Sequence, residues 1–590
     1  MLDFNKLRTM KLYIKEITLS CLIGMVGSSC VSDLLNQPPT ADLSSDLFWK
    51  TTEDATYALH GVYNATRTFF HKEYKWDTAT DIMWGDIRNP YNGIWQPASM
   101  VGSNNDQYWK DAYQVVNRAN YVLENVDKML EIYTNATDQV GLKRIKGELY
   151  FLRALAYFRL IDLWGDVPYY THTLNGNDEA FAMGRTPRET IKDNILKDLD
   201  YAKENIPITI VDSERGRATR VAVYAFSGKI KLFWASWMKN ENKMDEALAY
   251  YRAAAEDFKE VMKPEYGRAL FKNGDPGEPN NPSYGELFNG KNEYCSEIIF
   301  ATSNMGPNSP GLGDYYTYDF ATRSTGAGGT NVTPTIRLVD KYQLLSTGDY
   351  APPMVKTDAA DKESVENGAC NPKSYEGRDY RLYATVMWDG QKMVRVSNDG
   401  MTIGPDTLIF RYKFDDNVTY ISSGRRTGYI FRKFVRTYAW GPREQGPQDT
   451  YLMRLPDVWL MYCEAINEIN NGPTDKCFDL INQIRHRAAL PSLERSKFES
   501  KEAFFNAIDQ ERCVELVAEG QRFFDIRRWN MVEKLWPQPN GYRLESTWGE
   551  FFRDEFKNAQ ERDFQRFYRF KIPQLEIDKN PNMTQNDCWL

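Results

Sequence analysis

The chain has 590 residues, of which 42% are hydrophobic and 26% charged, with a formal net charge of -8. That composition excludes a disordered or collagen-like chain, and the length exceeds what one hydrophobic core usually organises. The acidic balance argues against nucleic acid as a partner, since that would demand a basic face.

Residues 1–29 read as an export signal. Lys6, Arg8, Lys11 and Lys15 surround or precede the apolar run Ile17 to Val26, which is too short to span a membrane. Gly27-Ser28-Ser29 then lead into Cys30, the pattern of a cysteine that is lipidated and becomes the first mature residue, although Gly27 stands where Leu is usual. An ordinary signal peptide with an incidental Cys30 is the alternative. The segment carries four cations against Asp3 and Glu16, so its removal takes the net charge from -8 to -10. Beyond it, no apolar run is long enough for a membrane helix. The remaining Cys295, Cys370, Cys463, Cys477, Cys513 and Cys588 form no C-x-x-C, so neither a zinc site nor a thioredoxin motif is indicated, and cysteines so scattered in an exported chain of this size are not a disulfide scaffold. Cys463 and Cys513 sit inside helical apolar patterns and read as core packing.

Helical periodicity then recurs in pairs along the chain. Residues 53–70 with 106–130 make the first expected pair, and 143–164 with 187–206 the second. The third is the clearest: 218–239 sets Ala222, Ala225 and Gly228 between large residues, and 243–262 brings Ala247, Tyr251 and Ala254 onto one face. The fourth is 454–469 with 474–488, broken at Gly472-Pro473. Antiparallel helices with small residues at their crossing look like tetratricopeptide repeats. The expected fold is therefore mainly α, a tetratricopeptide-like scaffold of about four helix pairs. An irregular helical domain without true repeats is the competing reading. Residues 77–107 and 265–450 are rich in Gly, Pro, Asn, Asp and Thr, with short β-like runs at Glu297 to Phe300 and Thr407 to Phe410. Long insertions of this kind are usually working surfaces on a scaffold.

A set of short stretches, in order, resembles the SusD/RagB family of Bacteroidetes outer-membrane lipoproteins. They include Cys30 with Asn36-Gln37-Pro38-Pro39, Phe48-Trp49-Lys50-Thr51, Ala58 to Tyr63, and Arg153 to Phe158 followed by Leu163-Trp164-Gly165-Asp166. Arg378 to Leu382, Arg454 to Leu460 and Glu519 to Trp529 complete the series. The resemblance implies three regions: a signal peptide at 1–29, an N-terminal helical region at 30–264, and a C-terminal region at 265–590 whose loop-rich part is 265–450 and whose returning helices are 454–530. It also implies anchoring at the cell surface through Cys30, an oligosaccharide ligand (a peptide in some members), a SusC-like TonB-dependent transporter as partner, and no catalysis or cofactor.

Aromatic residues make up 14% of the chain, and four of its 15 Trp fall within 76–109. Rings stack on the C–H faces of sugars while Asn, Asp and Arg satisfy their hydroxyls, so Trp84, Arg88, Tyr91, Asn92 and Trp95 are the first candidate ligand site. The competing reading has these Trp packing the loop down, and Tyr108 and Trp109 are assigned to the core of the next helix. Tyr315, Tyr316 and Tyr318, flanked by glycines, form a second candidate, with a buried Tyr-rich strand as its alternative. Catalytic readings are weaker. Glu511, Glu515 and Glu519 share a helix face and invite comparison with a glycosidase pair, but Arg512, Arg522, Arg527 and Arg528 are expected to pair with them. The four histidines form no H-E-x-x-H, so no metal site is expected.

Overall fold

A computed structural model describes residues 48–85, 103–174, 182–306, 311–321, 331–355, 364–394, 404, 408–410, 427–442, 444–535 and 565–590. The chain forms two compact units, Met1–Tyr57 and Ala58–Leu590. In the first, Thr51 and Asp54 make a capping box: Asp54 Oδ2 accepts the Thr51 amide at 2.8 Å, and Thr51 Oγ1 accepts the Asp54 amide at 3.1 Å. That box opens α1 (Thr52–Phe70).

The helical scaffold continues with α2 (Ser103–Ile132), α3 (Ala136–Trp164), α4 (Arg188–Asn205), α5 (Arg220–Asn240) and α6 (Met244–Val261). After the loop-rich stretch come α8 (Leu455–Asn470), α9 (Asp475–Arg487), α10 (Lys501–Glu515) and α11 (Arg522–Arg528), with the short α7 (Tyr316–Phe320) between the two groups. Each long helix expected from periodicity is present. The largest boundary change is in α3, which begins at Ala136 because the Asn135 side chain accepts the Asp138 amide at 2.9 Å.

α3 is the spine of this scaffold. It lies between α2 and α4, and from Gly147 onward it is almost wholly buried, taking Glu148, Arg153 and Asp162 inside along with its apolar residues. Each charge is met by an ion pair, with Arg217 on Glu148 at 2.7 Å, Asp198 on Arg153 at 2.8 Å and Arg527 on Asp162 at 3.0 Å. In the α5–α6 hairpin the small residues do what their spacing implies. A Cβ on Gly228 would lie 2.6 Å from the Phe258 ring, so only glycine lets the two helices cross this closely.

One expected pair is corrected. Periodicity couples 106–130 with 53–70, but α2 runs beside α3 instead. The Tyr133-Thr134-Asn135 connection is short enough to force antiparallel neighbours. α1 meets α2 through Phe69 on Tyr108, with ring centroids 4.4 Å apart.

Between α6 and α8 the described residues hold short elements only. β1 (Met83–Gly85) pairs antiparallel with β3 (Val332–Pro334), and β2 (Ile298–Thr302) with β4 (Thr450–Arg454). Leu408–Ile409, inside the second expected β-like run, pairs with Lys392–Met393. This part has its own aromatic core, in which Tyr284, Phe288, Tyr316, Phe320, Phe431 and Phe434 pack toward Val514 and Val517 at the end of α10. Much of the chain's ring surface is accounted for here and in the scaffold, where Trp76, Trp164 and Trp234 are fully buried.

Candidate functional site

The Tyr-rich segment is neither a loop nor a strand. Tyr316–Phe320 is a single helical turn, α7, and helical spacing sorts its rings onto two faces. Tyr316 and Phe320 point into the core. The Tyr316 ring stacks on Phe434 at 4.1 Å with 9° between planes. Tyr316 is 1% exposed, so it is a packing residue, which corrects its place among the candidate ligand-binding rings. Tyr315 and Tyr318 are half-buried on the other side, edge to face with centroids 6.3 Å apart.

Carboxylates hold this turn in place from both ends. Asp314 accepts the Tyr316 and Gln448 amides, each at 2.9 Å, and its backbone bridges to Gly446. A Cβ on Gly446 would collide with the Asp314 carboxylate, which explains a glycine there. Burial pushes the Asp314 carboxyl up to about 6, against the pull of those amides. Asp319 accepts the Tyr74 hydroxyl at 2.5 Å and the Asn331 side chain at 2.7 Å, and pairs with Lys75 at 3.2 Å.

The chain just past α1 closes one side of Tyr315. Lys72 Nζ lies 4.0 Å from the Tyr315 ring centroid, and the His71 ring meets Tyr315 edge-on at 6.1 Å. Arg67 donates to the Gly311 carbonyl at 3.1 Å. Burial, together with Lys72, pushes His71 down to about 4, and burial together with Lys75 pushes Lys72 down to about 8.

The sequence reasoning missed a third ring. Trp440 is 43% exposed and lies against Gly306. Its segment is tied to α7 by the Arg436 amide, which donates to Thr317 Oγ1 at 3.0 Å, and by the Arg436 guanidinium, which donates to the Gly441 carbonyl at 2.7 Å. The signal was legible: Tyr438-Ala439-Trp440-Gly441-Pro442 combines rings with turn residues, as the first candidate window does.

Of that first window, Trp84 is half-buried on β1, opposite Thr333, with its neighbours Met83 and Gly85 facing the interior. Arg88, Tyr91, Asn92 and Trp95 lie outside the described residues. Trp76 and Trp109 are core, at 0% and 3% exposure, as is Tyr108.

The acidic helix face offers no catalytic pair. Glu511, Glu515 and Glu519 are buried at the end of α10 and beyond it. The expectation of ion pairing holds but the expected partners do not. Glu511 meets Arg381 and Arg485, Glu515 meets Arg381, Arg454 and Arg487, and Glu519 meets Arg454 and Lys433. Arg512, Arg522 and Arg528 turn instead to Asp457 and Asp525, to Asp81 and Asp509, and to Glu464. Arg527 is the Asp162 partner in α3. Burial opposes ionisation of Glu515, but Arg487, Arg454 and Arg381 outweigh it and hold the carboxyl below its usual range. A carboxylate so held neither reaches a substrate nor exchanges a proton near neutral pH.

A cavity of about 250 Å³ with a mixed lining, Ile208, Ile299 and Phe300 beside Arg215, Glu293 and Asp449, reaches the residue next to Gln448. Burial and the neighbouring Asp449 push Glu293 up to about 9. Its oxygen accepts the Gln448 side chain at 3.0 Å and also the Asp449 amide, while Asp449 accepts the Asn304 amide at 2.8 Å. These bonds fasten three loop segments together.

The chain matches two family models, the SusD family over residues 296–589 and "Starch-binding associating with outer membrane" over residues 35–232. A SusD-like protein of Formosa agariphila is 25% identical over 587 residues, spanning 95% of this chain and 96% of the relative. A solved SusD-like protein of Bacteroides fragilis superposes with a TM-score of 0.69 at 22% identity, over 93% of this chain and 100% of that one. A laminarin-binding SusD-like protein superposes with a TM-score of 0.63 at 20% identity, over 91% of this chain and 99% of that one.

Proposed function

Because the chain belongs to the SusD family, we propose that it is a non-catalytic, cell-surface lipoprotein that captures an oligosaccharide for a SusC-like TonB-dependent transporter. In this reading Cys30 carries the lipid that holds the protein on the outer membrane, and the transporter takes the ligand from it. The observation that carries the reading is the pair of outward rings, Tyr315 and Tyr318, on a turn pinned by Asp314 and Asp319. A rigid aromatic edge of this kind suits a sugar, because the rings are already ordered and binding costs little side-chain entropy. Trp440 and Trp84 are the further rings proposed to contact the ligand, and Arg88, Tyr91, Asn92 and Trp95, outside the described residues, remain candidates from the sequence. A laminarin-binding relative of the same fold supports a glycan as the ligand class.

The test is calorimetric titration of the mature chain with a panel of oligosaccharides and of short peptides, beside an assay for released reducing ends. Saturable sugar binding without turnover is the expected result. Saturable peptide binding with no sugar binding would overturn the glycan assignment, and turnover of a bound glycan would overturn the non-catalytic one.

A further inference from the structure

Two of the cations beside Tyr315 make no ion pair among the described residues. Three basic side chains, Arg67, Lys72 and Lys75, fall within nine residues of an otherwise acidic chain. Lys75 is neutralised by Asp319 at 3.2 Å. Glu73 turns away to pair with Arg159 at 2.7 Å. Among the described residues, Lys72 and Arg67 have no carboxylate within ion-pair distance. Arg67 is 6% exposed, its Nε has no hydrogen-bond partner among the described residues, and its one described bond is to a backbone carbonyl. Lys72 rests on the Tyr315 ring and makes no ion pair among the described residues, with Asp319, already paired to Lys75, as the carboxylate that favours its charge. An ammonium held over a ring, with no ion pair among the described residues, is placed to meet an anion brought by whatever lies on that ring.

We propose that the ligand of this surface is an acidic glycan, one bearing uronate carboxylates or sulfate esters, and that Lys72 selects it. The inference rests on the reading of Tyr315 and Tyr318 as a sugar platform. A sugar ring packed beside Tyr315 can bring an acidic substituent to Lys72 Nζ, whereas Arg67 is buried and its charge is offset by Asp449 and Asp314. The other charged groups beside the platform are already engaged: Asp314 by backbone amides and by the charges of Arg436 and Arg67, and Asp319 by Lys75 and Tyr74.

The experiment titrates the full mature chain with oligogalacturonides, carrageenan oligosaccharides, laminarihexaose and maltoheptaose, at low and high salt. Wild type should bind at least one of the acidic probes at least tenfold more tightly than the neutral ones, and that preference should shrink in salt. Lys72→Met should weaken the acidic probe about tenfold or more, because it removes a charge-assisted hydrogen bond, and should leave the melting temperature unchanged. Lys72→Arg should restore most of the preference. If acidic probes bind no better than neutral ones, or Lys72→Met binds them unchanged, the inference is wrong while the glycan reading stands. If Tyr315→Ala and Tyr318→Ala leave every sugar's affinity unchanged, the platform itself is wrong.

Discussion

Glu515→Gln is the sharpest test of how the interior is held. The side chain is fully buried, and it accepts Arg454 at 3.0 Å, Arg381 at 3.1 Å and Arg487. Around it, Arg381, Lys433, Arg454, Arg485 and Arg487 face Asp379, Glu297, Glu511, Glu515 and Glu519, so cations and anions match in number. The amide keeps the shape and removes one negative charge, leaving a buried positive charge without its counterion. Removing one partner of a buried pair costs about 3–5 kcal/mol. Unfolding entropy is about 2.1 cal/mol/K per residue, or about 1.1 kcal/mol/K for a cooperative unit of about 540 residues, so the melting temperature should fall by about 3–5 °C. The pH dependence has a definite sign. Glu515 is held below its usual range in the folded state, so its stabilisation is present above the ordinary value of 4.5 and drains away as pH falls below it. The gap between wild type and variant should therefore be full at pH 7 and close progressively below pH 4.5. Scanning calorimetry at a series of pH values measures it. No gap at pH 7, or one that widens in acid, refutes the account of a charge-matched core.

Three further outcomes follow from other parts of the molecule. Gly228→Ala places a Cβ 2.6 Å from the Phe258 ring and should cost about 1–3 kcal/mol of overpacking, read as a lowered melting temperature. Tyr316→Ala removes a ring stacked at 4.1 Å on Phe434 and should cost about 3–5 kcal/mol, whereas Tyr315→Ala should melt within experimental error of wild type. Cys30→Ala should leave the protein in the soluble fraction of cells lacking the transporter, as two-phase detergent partitioning would report, because a lipidated terminus is the membrane anchor proposed.

The scaffold is legible in the sequence because long helices announce themselves by period: α5 and α6 lie within a few residues of where it puts them, down to the glycine at their crossing. What periodicity does not carry is which helix lies beside which. It couples α2 with α1, although the short turn before α3 already favours the other neighbour. Charge behaves the same way. The i, i+4 spacing of Glu511, Glu515 and Glu519 is visible, but Arg381 reaches Glu515 from 134 residues away, and no local rule finds it. The Tyr-rich run stands out by composition, yet its division into outward Tyr315 and Tyr318 and inward Tyr316 depends on its being one helical turn. Trp440 escapes notice because its run, Tyr438 to Pro442, is short beside the two windows singled out, although the rings and turn residues are there to read. Only its tie to α7 through Arg436 is a tertiary contact that no local rule finds.

The central claim is that Tyr315 and Tyr318 form the surface on which a glycan stacks. Calorimetric titration of the Tyr315→Ala/Tyr318→Ala double variant, with the tightest-binding oligosaccharide of the panel, tests it most directly. Trp459→Ala, from the apolar face of α8 at 7% exposure, serves as the folding control. Each stacked ring is worth roughly 1–3 kcal/mol, so the double variant should lose at least about twentyfold in affinity and melt like wild type. The Trp459 variant should instead melt early, by the several kcal/mol that removing a core ring costs, and where it remains folded bind normally. A double variant that melts early yet binds as tightly as wild type would make both tyrosines packing residues and contradict the account.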